Sequence, residues 1–237
     1  MVHKKRVLLL DSYRGFIIIH MVLFHLLYDI NMVFGRNTHW YSSFGTYIWQ
    51  RFICFSFIIV SGMVWTYGKE KSIKRGLWLN LWGLVISGCV FLFLPSEAIW
   101  FGILNFIGCC TIITYILDKL LSRIPSFVGM LLFLFLFFFI ETIKIPSDTF
   151  GHILLVPLGF PPSTFSSSDY FPLVPWYFLF LFGYYLNPSL EKIKFFQAFG
   201  NIHFSPLTHL GRYSLWVYLL HQPICYGICS LVFGVIR

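Results

Sequence analysis

The 237-residue sequence is poor in charge, and in acid above all. Charged residues make up only 11%, with 9 Asp and Glu against 17 Lys and Arg. A water-soluble domain carries about a quarter charged residues, so this composition excludes that class. Long hydrophilic tracts and internal repeats are absent too. The six cysteines all lie inside apolar runs, with neither a disulfide framework nor a zinc spacing. Cys225 and Cys229, one helical turn apart, read as packing residues. No cleavable leader is recognisable: in MVHKKRVLLLDSYRG the apolar run is broken by Asp11 and Arg14, and no small-residue cleavage site follows. The segment reads as a retained first helix. What remains is apolar: 58% hydrophobic residues, 29 of them Phe, and a mean hydropathy of +0.78. The net charge of +8 does not point to nucleic acid, because the basic residues form short clusters between apolar runs.

The expected fold is an all-α integral membrane protein, a single domain over 1–237. Spanning helices need about 20 apolar residues, and about seven stretches qualify: 8–32, 46–67, 76–94, 98–120, 126–143, 173–187 and 211–235. LLFLFLFFFI (131–140) has no polar face and is expected against lipid. Basic clusters fall between alternate spans: Lys4, Lys5 and Arg6, then Lys69, Lys71, Lys74 and Arg75, then Lys119 and Arg123, then Lys192, Lys194 and Arg212. That bias puts the N-terminus in the cytoplasm and, with an odd span count, the C-terminus outside. The segment at about 145–172 is too apolar for a solvated loop and too rich in Pro and Gly to span. It is expected as a re-entrant or surface-lying outer element that lines protein.

The first span, DSYRGFIIIHMVLFHLLYD (11–29), carries more polar groups than a lipid-facing helix tolerates. At about 100° per residue, Asp11, Arg14, His25, Tyr28 and Asp29 share an arc of roughly 100°, with His20 on the opposite side. Asp11 and Asp29 stand about 27 Å apart, close to the thickness of the hydrocarbon core. A polar stripe of that length faces a pathway or cavity. Other spans supply partners: Arg51 in the second, Asn105 in the fourth, and Arg212, Ser214, Tyr218 and His221 at three- to four-residue spacing in the seventh. Pro223 is expected to loosen that helix near His221. His39 in RNTHWYSS and Asp169 in SDYFPLVPW lie in outer loops. A Gly83–Ser87 face on the third span permits a homodimer.

LDSYRG (10–15), FIIVSG (57–62), FGILNFIG (101–108), DYFPLVPW (169–176) and GRYSL followed by YLLHQP (211–223) together resemble a family. It is that of the catalytic domain of heparan-alpha-glucosaminide N-acetyltransferase and its bacterial relatives, within the wider transmembrane acyltransferase superfamily. The resemblance spans nearly the whole chain. It implies transfer of an acetyl group from cytoplasmic acetyl-CoA to an amine or hydroxyl of an extracytoplasmic, glycan-like acceptor, in a bacterial cell membrane and with no metal. His39 matches the family's catalytic histidine. His25 stands where the family has an assisting Asn, and Asn105 where relatives have Gln or His. The extra helices and luminal domain of the eukaryotic enzyme have no counterpart here.

On this reading His39, His25, Asp29 and Asp169 are the catalytic candidates. His39 is either a general base held by Asp29 or Asp169, or the carrier of an acetyl-imidazole. The donor would lie along Asp11, Arg14, Tyr28, Arg51, Lys74, Arg75, Asn105, Arg212, Ser214, Tyr218 and His221, its phosphates drawn to the cytoplasmic cations. A solute transporter or channel using the same polar face is the alternative, although paired broken helices of the inverted-repeat kind are not evident. A haem carrier built on His20, His25 and His221 is disfavoured, because His20 and His25 point to different sides of one helix.

Overall fold

A computed structural model describes residues 7–143 and 151–234. Its regular structure is helical throughout the described residues. The chain forms two compact bodies, one of residues 1–57 with 194–237 and the other of residues 58–193.

The first body is built on α1 (Leu8–Tyr28), which runs into a single π-helical turn at Asp29–Val33. The start of α2 (Phe44–Trp65) and the C-terminal helices α7 (Phe195–Phe199), α8 (Ser205–Arg212) and α9 (Ser214–Phe233) complete it. Two glycines set the α1–α8 spacing. A Cβ on Gly15 would stand 1.9 Å from the Leu207 carbonyl oxygen, and one on Gly211 1.8 Å from that of Asp11. The backbones therefore touch, as small residues allow between helices in lipid, where packing replaces the hydrophobic drive. Thr208 donates its hydroxyl hydrogen to the Phe204 carbonyl at 3.1 Å. Ser12 Oγ lies 2.6 Å from Thr208 Oγ1 and accepts the N–H of Phe204, the residue before α8, at 3.2 Å. On the opposite side of α1, Trp49 donates its indole N–H to His20 Nδ1 at 3.0 Å. His20 is thereby a packing residue among Phe16, Trp49 and Phe52.

The second body holds the end of α2, α3 (Ser72–Phe93), α4 (Ile103–Leu121), α5 (Ser126–Thr142) and α6 (Leu173–Lys192). Several of its buried polar groups are paired. Asp118 takes Lys69 Nζ and the Tyr184 hydroxyl, the latter at 3.0 Å. Tyr67 donates to Asn187 at 3.1 Å, and Asn187 donates to Thr66 at 3.1 Å. These contacts pin the turn Thr66–Lys71 between α2 and α3. The apolar α5 is not bathed in lipid all round. Phe133 and Phe137 are buried, Phe133 stacked on Tyr185 of α6, while Leu131, Phe135, Phe138 and Phe139 are exposed.

Residues 151–172 do not span; a 3₁₀ turn at Ile153–Leu158 is their longest regular piece, and 144–150 lie outside the described residues. The segment is sewn to the approach to α4. Ser167 Oγ accepts the Trp100 N–H at 2.9 Å, Ser168 donates to the Glu97 carbonyl at 2.6 Å, and the Phe171 N–H reaches the Phe101 carbonyl at 3.1 Å. Asp169 Oδ2 accepts the Ile103 N–H at 3.1 Å, so its carboxylate caps α4. Burial raises the Asp169 carboxyl to about 6, and the Ile103 N–H partly opposes the rise.

Several sequence expectations need correction. By length and composition the described residues contain four membrane-spanning candidates, so the expected count of seven is not confirmed. One is Phe44–Phe93, a run of 50 residues that α2 and α3 share across the turn at 66–71. α5 is shorter than a full span, and α6 carries Asn187, Glu191 and Lys192 in its last turns, so neither qualifies. Residues 98–102 are not helical, since α4 starts at Ile103. The span expected at 211–235 breaks at Tyr213 into α8 and α9, and α9 continues through Pro223. The Gly83 face is already occupied within the chain: a Cβ there would meet Asn105 of α4 at 2.4 Å.

Gly211→Val should lower stability by about 1–3 kcal/mol by forcing α1 and α8 apart. Gly227→Ala, with open space around its position, should be neutral or stabilising by up to about 1 kcal/mol. Thermal unfolding in detergent compares the two. Asp169 provides a pH test. Its folded-state pKa lies above the unfolded value of about 3.9, so the folded state binds the proton more tightly. Stability should rise as pH falls from 7 through about 6, and Asp169→Asn should remove that dependence.

Candidate functional site

In the first body the polar arc of α1 meets the C-terminal helices at two levels. At the lower level Asp11 is buried, with Arg14 Nη1 and Arg212 Nε each 3.9 Å from its carboxylate. Arg14 also donates to Ser214 Oγ at 2.9 Å, tying α1 to the first turn of α9. Arg14 is half-buried and Arg212 exposed, so this is a solvent-facing cluster of two guanidiniums around one carboxylate. Its net positive charge and forked donors suit an oxyanion.

Three to four turns further along α1 lies a second cluster. His25 of α1 and His221 of α9 meet edge to face, their ring centroids 4.8 Å apart. His221 Nδ1 lies 2.6 Å from the Tyr218 carbonyl oxygen. A carbonyl only accepts, so Nδ1 carries the proton. Asp29 is fully buried at the start of the π-turn, and Gln222 Nε2 donates to its Oδ1 at 2.8 Å. A buried carboxylate is tolerable only when such donors reach it. The Cys225 thiol lies 4.0 Å from the Val22 carbonyl and closes this level against α1.

His39 is exposed in the loop between the π-turn and α2. Its neighbours fasten that loop to the same end of α1: Trp40 packs on Phe24, with centroids 5.4 Å apart, and Tyr41 packs on Tyr28 at 5.4 Å. Arg51 lies over the rings of Tyr47 and Phe55, at 5.3 and 5.9 Å from their centroids.

The remaining sequence candidates belong to the second body. Lys74 is exposed, and Arg75 lies half-buried beside Gly68. Asn105 donates to the backbone oxygen of Asn80 at 3.2 Å and to its side chain at 3.4 Å, joining α4 to α3. Asp169 holds the start of α4. Lys4, Lys5 and Arg6 lie outside the described residues.

Sequence reasoning passed over two polar partners, Gln222 and Asn80. Each is an amide inside an apolar helix. The rule that marked Asn105, that a polar side chain at lipid depth seeks a partner, applies to both. Among the described residues no group of three or more His, Cys, Asp or Glu is placed to hold a metal ion.

No curated protein and no solved structure matches the chain. A family model described as "Heparan-alpha-glucosaminide N-acetyltransferase, catalytic" matches residues 6–223, nearly the whole length and both clusters of the first body. The chain therefore belongs to the heparan-alpha-glucosaminide N-acetyltransferase catalytic-domain family of membrane acetyltransferases.

Proposed function

We propose that the whole chain works as one acyltransferase domain of a bacterial cell membrane, moving an acetyl group from cytoplasmic acetyl-CoA to an extracytoplasmic sugar amine or hydroxyl. The N-terminus faces the cytoplasm and the C-terminus the outside, as the basic clusters suggest. The observation that carries this reading is the two-level polar face of α1 against α8 and α9. A guanidinium cluster lies at the N-terminal end, and an imidazole–carboxylate cluster lies at the other. A phosphate-bearing donor fits the first and a thioester the second.

Arg14 and Arg212 would hold donor phosphates at the cytoplasmic end. The pantetheine arm would run along the polar arc past Ser214 and Tyr218. Its thioester would stop near His25, Tyr28 and Asp29, where the loop bearing His39 is fastened. His39, exposed at that end, would meet the acceptor and act as general base or as acetyl carrier. Asp29 is the carboxylate suited to support it, while Asp169 serves the start of α4. Arg51 is the remaining candidate of the first body for lining the donor path.

Purified protein in lipid nanodiscs, given acetyl-CoA and glucosamine, should yield N-acetylglucosamine by mass spectrometry. His39→Ala should abolish that product while CoA affinity, measured by calorimetry, stays within about twofold; unreduced turnover refutes the assignment. Arg14→Ala should weaken CoA binding about tenfold, the worth of one charge-assisted contact of about 1.4 kcal/mol. Unchanged affinity would make Arg14 a structural partner of Asp11 and Ser214 only.

A further inference from the structure

Acyl transfer from a thioester has a proton to manage. The attacking amine, hydroxyl or imidazole must lose one, and the departing sulfur must gain one. Water does this at a surface, but inside an apolar bundle a side chain has to. The group must be buried, hold a lone pair that no neighbour already uses, and stand where a cation can be tolerated.

His221 meets each condition. It is only 7% exposed. Its Nδ1–H is committed to the Tyr218 carbonyl at 2.6 Å, which fixes the tautomer and leaves the lone pair on Nε2. That Nε2 is buried and has no hydrogen-bond partner. A buried polar atom left unsatisfied costs roughly 1–3 kcal/mol, so the fold holds this acceptor open against its own stability. The His25 ring lies edge to face with it, the ring centroids 4.8 Å apart. Asp29, anchored by the neighbouring residue Gln222, places a carboxylate in the same cluster. Its negative charge, held by the residue next to His221 in the chain, offsets a transient imidazolium.

We propose that His221 is the proton acceptor and donor of the transfer, a role that rests on the acetyltransferase reading above. The attacking group is His39, in the route where it carries the acetyl group. It bonds to the thioester carbonyl carbon as its proton passes to His221 Nε2. The C–S bond then breaks with its electron pair on sulfur, and the same proton moves from Nε2 to that sulfur. CoA thiol leaves and His221 is neutral again. Gln222 is a positioning residue that acts through Asp29.

The test joins a spectrum to kinetics. In the full chain labelled with [15N]histidine in nanodiscs, long-range 15N–1H correlations should show His221 as the Nδ1–H tautomer, the form less common in free imidazoles. A His221→Gln spectrum provides the assignment. An Nε2–H tautomer overturns the proposal even if His221→Gln does not fold. With acetyl-CoA, and glucosamine present or omitted, His221→Gln should reduce release of CoA thiol about 10²–10⁴-fold in kcat, with KM for acetyl-CoA within about twofold. A variant with wild-type kcat, or one that loses only thermal stability, leaves His221 a packing residue and overturns this proposal alone. Wild-type protein that binds acetyl-CoA but releases no thiol overturns the acetyltransferase reading, and this role with it.

Discussion

A helix that carries Asp11, Arg14, His25 and Asp29 through an apolar phase must give each of them a protein partner, and the first body is arranged around that need. Burying an ion or a hydrogen-bonding group without one costs several kcal/mol in hydrocarbon. Here Asp11 is shared between Arg14 and Arg212, and Asp29 is met by Gln222. The Arg212 and Gln222 contacts require the C-terminal helices to lie directly on α1. The touching backbones at Gly15 and Gly211 make that possible. Widen that crossing by one side chain and the ionic cluster loses its reach, because its charged atoms already stand at 3.9 Å.

The two clusters differ in character. The one at the N-terminal end is partly open to solvent and cationic, and it resembles a docking point for a mobile anion. The deeper one is closed, and its imidazoles are held by the backbone and by each other. That division suits a reaction whose donor is large and charged at one end and reactive at the other. The second body solves the same burial problem by local pairing, as in Lys69 with Asp118 and Tyr184, and Asn105 with Asn80. These polar groups answer one another, which is what structural polar residues in a membrane do.

Helical periodicity told much about the first body in advance. The roughly 100° arc on α1 separated His20 from His25 correctly: His20 accepts the Trp49 indole N–H on one side, and His25 meets His221 on the other. Span counting fared less well, because hydropathy marks apolar stretches but not their ends or bends. The α2–α3 turn is stapled by Tyr67, Asn187 and Thr66, which come from distant positions in the chain. The break at Tyr213 follows from α8 having to cross α1 at Gly211. Asp169 looked like a partner for a catalytic imidazole because it is a lone acid beside apolar sequence. In the folded chain its carboxylate takes the Ile103 N–H, a backbone donor that composition cannot reveal.

The sequence by itself determined that the protein is a helical membrane protein of this acetyltransferase family, and that one face of α1 is polar from end to end. These properties are local: composition, a 3.6-residue period and short motifs in fixed order. Only the tertiary structure decided which polar residues meet. It paired His25 with His221 and Asp29 with Gln222, residues almost 200 positions apart. It also fixed the proton of His221 on Nδ1 through the Tyr218 carbonyl. No spacing rule reaches so far along the chain, because such pairs are set by where two helix backbones can touch.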